Sequence, residues 1–311
     1  MAQLTAIQDE LLSNVSSMTV PKGYQSEALL PFVPSKHQTG KLAKYGQQHL
    51  RIESSLKGGR GQYRRVESIV RSQDTYSIDG HGLEGMVTKE DYKNVMDPYK
   101  AEEDETLGIT AMLWLEKEQV LANAITNTST INQYVTLNAL QQYNDYTNSD
   151  PIGDSQTAAE TIMTGVGVEM DTMLGDFLVI NRLRNHPGIL DAIGFKYARP
   201  GGLKDEELAR AFNVDRVLVA KARYNSAKEG QTDVLAPVWG KDLLFCAAPS
   251  AAARMQISVG YWIGYEGESP RKVYKEDQFN PPGSTKILVE DNYAYMLTNV
   301  KAAYLVKAAV A

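Results

Sequence analysis

EEDETLGITAMLWLEKEQVLANAIT, residues 102–126, is the stretch around which the rest of the chain arranges itself. Leu107, Ala111, Trp114, Leu115, Leu121, Ala122 and Ile125 recur at helical spacing and predict one apolar stripe. The acids Glu102 to Glu105 favour the positive end of a helix dipole, and Asn127-Thr128-Ser129-Thr130 ends the pattern. At 1.5 Å per residue this helix spans roughly 35–40 Å. In a chain of 311 residues, that length predicts a spine for the whole subunit.

Working upstream, the charge changes sign. Between Asp74 and Glu105 ten acids stand against three bases, Lys89, Lys93 and Lys100. Between Lys41 and Arg71 the order inverts: Lys41, Lys44, Arg51, Lys57, Arg60, Arg64, Arg65 and Arg71 meet only Glu53 and Glu67. His49 to Glu53 alternates, Gly58-Gly59-Arg60-Gly61 allows a reversal, and Tyr63 to Val70 returns with β-type residues. The segment predicts a long polar β-hairpin. Adjacent blocks of opposite sign suit head-to-tail association between copies, with Arg51, Arg60, Arg64 and Arg65 of one copy over Glu102, Glu103 and Asp104 of the next. They equally suit two solvated faces. Further upstream, Leu4, Ile7, Leu11 and Leu12 are helically spaced before Pro21, Pro31 and Pro34 break the pattern, which predicts an arm ordered by lying on something else.

Downstream of a polar connection, Gln141 to Asp154, a second half begins with Ser155 as a helix cap and Met163, Val166, Met170 and Met173 on one helix face. Phe177-Leu178-Val179-Ile180 reads as a short buried strand, and Asn181 as the cap of a helix around Leu183 to Ile193. A helix over Lys204 to Phe212 and strands at Arg216 to Ala220 and Leu243 to Ala247 complete a compact α/β unit. Pro281-Pro282-Gly283 then precedes a β-rich tail, Lys286 to Glu290 and Ala303 to Lys307, expected to return to the first half.

Composition excludes several classes. With 43% hydrophobic residues the chain is globular, and a formal net charge of -6 argues against a polyanion binder held by a global basic field. One cysteine forms no intrachain disulfide, and four scattered histidines offer no metal-ligand spacing. No apolar run reaches membrane-spanning length, and the N-terminus lacks a secretory pattern, so a reducing cytoplasm is the expected place of assembly. Seventeen tyrosines against six phenylalanines suggest half-wet aromatics at interfaces.

The motifs of chemistry are incomplete. Gly165-Val166-Gly167 meets Met170 where a dinucleotide fingerprint needs a third glycine, and neither a P-loop nor a Gly-x-Ser-x-Gly elbow occurs. Cys246 lies in an apolar run and reads as a buried thiol before a nucleophile. His186, beside Pro187, reads as a turn histidine before a general base. The run Asp145 to Asp154 has calcium-like ingredients without an EF-hand's ligand order. Gly58 to Gly61 with Arg64-Arg65 reads as a hairpin tip before a nucleic-acid contact. No catalytic, cofactor or metal residue is assigned, and no enzymatic activity is expected.

Several phrases, in order, carry a resemblance. They are Ala28-Leu29-Leu30-Pro31-Phe32-Val33-Pro34 leading to Gly40-Lys41, the long helix after an acidic block, and Leu183-Arg184-Asn185-His186-Pro187-Gly188-Ile189-Leu190-Asp191-Ala192-Ile193. Glu207 to Val214, Arg216 to Val219 and Val238-Trp239-Gly240-Lys241-Asp242 follow. Over nearly its whole length the chain resembles tailed-bacteriophage major capsid proteins with the Hong Kong 97-type fold. The resemblance implies an α+β fold: an N-terminal arm over 1–40, an extended β-hairpin loop over 41–73, and a peripheral domain with the spine helix over 74–154. An axial α/β domain over 155–284 and C-terminal strands over 285–311 returning to the peripheral domain complete it. It also implies a virion shell of pentamers and hexamers around packaged DNA, portal and scaffolding proteins as partners, room for a decoration protein, and no membrane. No scaffolding segment is seen in the chain, so a separate scaffold or a mature form is expected. An encapsulin-like nanocompartment enclosing a cargo enzyme is the alternative use of the same fold.

Overall fold

A computed structural model describes residues 6–44, 52, 72–94, 98–194, 202–228, 230–253, 256–267, 271–278 and 282–311. The chain opens with β1 (Ile7–Gln8), α1 (Glu10–Met18), α2 (Ser26–Leu29), β2 (Phe32–Ser35) and β3 (Thr39–Lys44). After β4 (Ser72–Ser77) and β5 (Asp79–Val87) come α3 (Lys89–Asn94) and the long α4 (Pro98–Ile125). The second half runs β6 (Tyr134–Thr136), α5 (Pro151–Val166), β7 (Thr172–Asp176), α6 (Phe177–Arg184), α7 (Pro187–Ile193), α8 (Asp205–Phe212) and β8 (Arg216–Ala220). Short strands β9 (Arg223–Asn225) and β10 (Leu235–Pro237) form a ribbon. They precede β11 (Leu243–Cys246), β12 (Gly260–Tyr265), β13 (Arg271–Gln278), β14 (Ser284–Leu297) and β15 (Ala303–Lys307).

Two sheets result. The first centres on the 14-residue β14, which pairs with β13 along its first half and with β12 along its second. β5 pairs with its other side, so Tyr293 faces Gly264 in one direction and Asp79 in the other. β1 and β2 flank β13 and β12. Ile287, Val289, Asp291 and Tyr293 are buried and the residues between them partly exposed, the period-two pattern of a strand with one face covered, while Met296 further along packs on the opposite face with Ile78 and Ile263. The face carrying Ile287 packs Val273, Ile287 and Val289 against Leu12 of α1 and Ile109 and Leu113 of α4.

The second sheet has the order β6-β15-β11-β7-β8 and is covered on both faces. Met173, Leu243, Phe245, Tyr304 and Val306 pack with residues of α5 to α8. The alternating set, Leu174, Leu244, Cys246, Ala303 and Leu305, packs with Leu29 of α2 and with Leu121, Ala122 and Ile125 of α4. One helix therefore serves both layers, its first half on one sheet and its last turns on the other.

Several sequence expectations change. α4 begins at Pro98, and its buried side is Ile109, Leu113, Trp114, Leu121, Ala122 and Ile125, while Ala111 is exposed and Leu107 and Leu115 are half-buried. A helix shared by two sheets buries a face that turns along its length, which a single stripe does not capture. Phe177 to Ile180 is the start of α6, because Asp176 accepts a hydrogen bond from the Leu178 N–H at 3.0 Å and caps the helix. The helix expected over 183–193 is broken: α6 ends at Arg184, and α7 starts at Pro187, which has no N–H to continue the ladder. α5 is capped by Asp150 with Pro151 in its first turn, and Ser155 lies buried within it. The strand at 303–307 joins the second sheet, between β6 and β11, because its side chains are apolar on both faces and only a strand between two layers buries both. β12 and β13 belong to the first sheet. The N-terminal arm is woven into its own subunit, with Leu12, Leu29 and Leu30 buried and β2 parallel to β12.

Candidate functional site

The most organised polar cluster sits where the arm, α4 and the two sheets meet. Lys117 of α4 is fully buried; its Nζ lies 2.6 Å from Glu27 Oε1 and 3.6 Å from Asp291 Oδ2. The ammonium also stands 4.2 Å from the ring centre of Trp262 and 4.5 Å from that of Tyr293. A desolvated cation against aromatic faces and a carboxylate gains about 2 kcal/mol per favourable ring contact. The next residue, Glu118, accepts from the Gln25 N–H at 2.8 Å, the Ser26 N–H at 2.8 Å and the Trp239 Nε1–H at 2.6 Å. It thus holds the N-terminus of α2 and the loop before β11 with one carboxylate.

The arm passes through this junction on backbone terms. Gly23 accepts from the Lys221 N–H at 2.8 Å, Gln25 Nε2 donates to the Val219 carbonyl at 3.1 Å, and Arg216 Nη1 donates to the Ala28 carbonyl at 3.1 Å. Gly23 has φ +94°, and a Cβ there would sit 2.5 Å from the Lys221 Cβ, so glycine is required. Arg271, opposite Asp291 across β13 and β14, lays its guanidinium 4.4 Å from the Trp114 ring centre. Burial lowers the Arg271 pKa and raises that of Asp291. The cluster contains no nucleophile with a base beside it. Its chemistry is positional: it ties four segments together and penalises their separation.

The residues singled out from sequence fall elsewhere. Arg51, Arg60, Arg64 and Arg65 lie outside the described residues, as does most of the 41–73 hairpin. Its base is present as antiparallel β3 and β4, with Lys44 3.3 Å from Asp74. Glu102 is occupied within the subunit, accepting from Tyr92 Oη at 2.7 Å and pairing with Lys275 of β13. Glu103 is half-buried and Asp104 exposed on the same helix.

His186 caps α7: its Nδ1 accepts from the Gly188 N–H at 3.2 Å, so the ring proton is on Nε2, which donates to Ser149 Oγ at 2.9 Å. Burial holds its pKa below the ordinary imidazole value. Both nitrogens are used, which fits a turn histidine. Cys246 is fully buried with its thiol pKa pushed up by desolvation. In the Asp145 to Asp154 run, Asp145 accepts from Thr147 and Asn148, Asp150 caps α5, and Asp154 accepts from Tyr143 Oη at 3.0 Å. Among the described residues no three metal-ligating side chains gather, and no helix is long and apolar enough to cross a membrane. Of the tyrosines, Tyr143, Tyr261, Tyr293 and Tyr304 are buried inside the subunit, while Tyr134 and Tyr146 are exposed.

The junction residues Glu27, Lys117, Glu118, Arg271 and Asp291 were not singled out from sequence. The available signal was Lys117-Glu118 between Trp114 and Leu121, two charges on the apolar side of the predicted helix.

No protein-family model matches the chain. It is 24% identical over 272 residues to the major capsid protein of Burkholderia phage BcepMu, covering 84% of each chain. Its structure is similar to that of a phage-related protein from Bordetella bronchiseptica RB50, with a TM-score of 0.75, 20% identity and 98% of both chains covered. It also matches the capsid structure of the cyanophage P-SCSP1u at a TM-score of 0.57 and 13% identity, over 93% of this chain and 89% of that one. The architecture is the α+β, Hong Kong 97-type fold of phage capsid shells. The resemblance read from the sequence is borne out: the chain is similar in sequence to proteins of two phages that are named major capsid proteins.

Proposed function

We propose that copies of this chain close into the icosahedral head shell of a tailed phage, around its double-stranded DNA. The observation that carries the reading is the full-length agreement of fold with phage capsid chains, together with relatives named as major capsid proteins. Residence in the virion capsid follows from the same function. The physics suits it: elongated elements, an arm and spine locked by buried charges, and polar surfaces rather than a reactive cleft.

In this reading the first sheet with α4 forms the peripheral part and the second sheet with α5 to α8 the axial part, whose loops meet in pentamers and hexamers. The 41–73 segment is the extended loop, and Arg51, Arg60, Arg64 and Arg65 contact the acidic side of a neighbour, where Glu103 and Asp104 remain available. Portal and scaffolding proteins are the expected further partners, DNA contact is non-specific, and the protein has no catalytic activity of its own. Electron microscopy of the purified protein tests the reading: hollow particles or capsomer rings are expected, and uniform small monomers would overturn it. Arg64→Glu with Arg65→Glu is expected to block assembly and leave the subunit folded; wild-type particle yields from that variant would remove the electrostatic contact.

A further inference from the structure

We infer that the His186 side chain is a proton-operated pin: neutral, it holds the turn over residues 144–149 to the start of α7, and protonated, it lets that turn go. The inference goes beyond the shell reading and concerns the free subunit, so the two stand or fall separately.

His186 is buried where one helix ends and two begin. Its N–H donates to the Leu183 carbonyl at the close of α6, and its own carbonyl accepts from the N–H groups of Ile189 and Leu190 in α7. The ring completes the start of α7, because Nδ1 accepts from the Gly188 N–H at 3.2 Å. That leaves the Nε2–H for Ser149 Oγ, 2.9 Å away and just ahead of α5. Ser149 in turn donates to the Asp145 carbonyl at 2.5 Å, and the rings of Tyr146 and His186 stand at right angles with centres 5.3 Å apart.

The turn is closed on itself and lightly held. Asp145 accepts from the N–H groups of Thr147 and Asn148 and from Asn148 Nδ2, while Asn144, Tyr146, Thr147 and Asn148 are exposed. Among the described residues, the Ser149 hydrogen bond and the Tyr146 ring are its links to α6 and α7. Its other anchors lie at its two ends: Tyr143 donates to Ala309 and Asp154, Asn144 accepts from the Ala311 N–H, and Asp150 caps α5. A short exposed turn fixed by one side-chain contact opens locally at small free-energy cost.

A second ring proton goes onto Nδ1, where it faces the Gly188 N–H, donor against donor, at the positive end of α7 and in a desolvated site. An imidazolium turned out to solvent escapes all three penalties. The open form therefore binds the proton more tightly, and burial holds the closed form's pKa below the ordinary imidazole value. Between those two values each unit of falling pH favours the open form about tenfold. Of the charged groups around the ring, Asp150 at the start of α5 attracts the proton and offsets part of the penalty. Asp145 is engaged by its own turn, Arg184 of α6 is turned to Asp205 of α8, and Asp191 of α7 is exposed. Asp154, whose pKa burial raises, accepts from Tyr143 and can do so when protonated, so acid leaves that anchor in place.

Hydrogen exchange read by mass spectrometry on free subunits at pH 7 and pH 5, with protection corrected for the intrinsic effect of pH, tests the pin. In the wild type the protection of residues 144–149 is expected to fall at least about tenfold while that of β11 is kept. In His186→Asn, which retains a capping acceptor without the titration, the fall is expected to stay under about threefold. Ser149→Ala, which leaves the α7 cap intact, is expected to show at pH 7 the low protection that the wild-type turn reaches at pH 5. Equal wild-type protection at both pH values, the same fall in His186→Asn, or a Ser149→Ala turn as protected as wild type at pH 7 would each overturn the pin. So would a matching loss of protection in β11, which would mark general unfolding in acid.

Discussion

The two sheets are built for different tasks. The second sheet is closed on both faces by apolar layers, with Phe245 and Cys246 pointing into opposite cores. The first sheet carries smaller apolar clusters, Ile109, Leu113, Ile287 and Val289 on one face and Ile78, Ile263 and Met296 on the other, and relies on buried charges at the point where α4 leaves it for the second sheet. A surface meant to meet another copy has to stay wettable in the free subunit, so it cannot be held by apolar burial alone. The junction around Lys117 supplies rigidity to that half by a route other than apolar burial.

If this contrast is correct, the largest effect on the free subunit comes from the junction. Lys117→Ala leaves Glu27 without its cation and Asp291 with Arg271 alone, and is expected to cost about 3 kcal/mol of stability, read as a lowered urea midpoint. A change under about 1 kcal/mol would show that the first sheet does not depend on the junction. In the second sheet, Asp176 is fully buried, paired with Arg223 and capping α6. Asp176→Ala is expected to cost about 3 kcal/mol for the same reason, an unpaired buried partner and a lost cap. Asp150→Ala removes the cap of α5 and is expected to cost about 1 kcal/mol, too little to perturb assembly.

Smaller, and diagnostic by sign, is the pH dependence through His186. Its folded pKa is depressed by burial, so its contribution is present above the ordinary imidazole value and is lost as pH falls through the folded value. Protonation would place a second ring proton against the Gly188 N–H at the positive end of α7. His186→Asn keeps a capping acceptor without the titration. The stability gap between wild type and variant is therefore expected to narrow or reverse between pH 7 and 5 in parallel urea titrations; a gap constant with pH would remove the effect. The smallest effect on the subunit is expected from Met112→Glu, within about 0.5 kcal/mol.

Much of this architecture is legible in local sequence. The long helix, the strands at 216–220 and 243–246 and the helix at 205–212 follow from periodicity and capping residues. Phe177 to Ile180 reads as a strand in the sequence and is helical in the structure, because a four-residue apolar run fits either and the Asp176 carboxylate just before it decides for the helix. The place of the last strand between β6 and β11 is not legible locally, because a run apolar on both faces shows that a strand is buried without showing beside which strands. The junction escaped for a similar reason: its members, at 27, 117, 118, 271 and 291, are dispersed along the chain, and no spacing rule links them.

By itself the sequence determined the class of elements, the spine, the inverted charge blocks and the family the chain resembles, because these depend on residue order and local conformational preference. Only the tertiary structure decided which strands share a sheet, that the arm is threaded through its own subunit, and that a lysine and a glutamate of the spine are buried. Those features depend on which distant segments exclude water from one another, and that free energy is settled by contact in space.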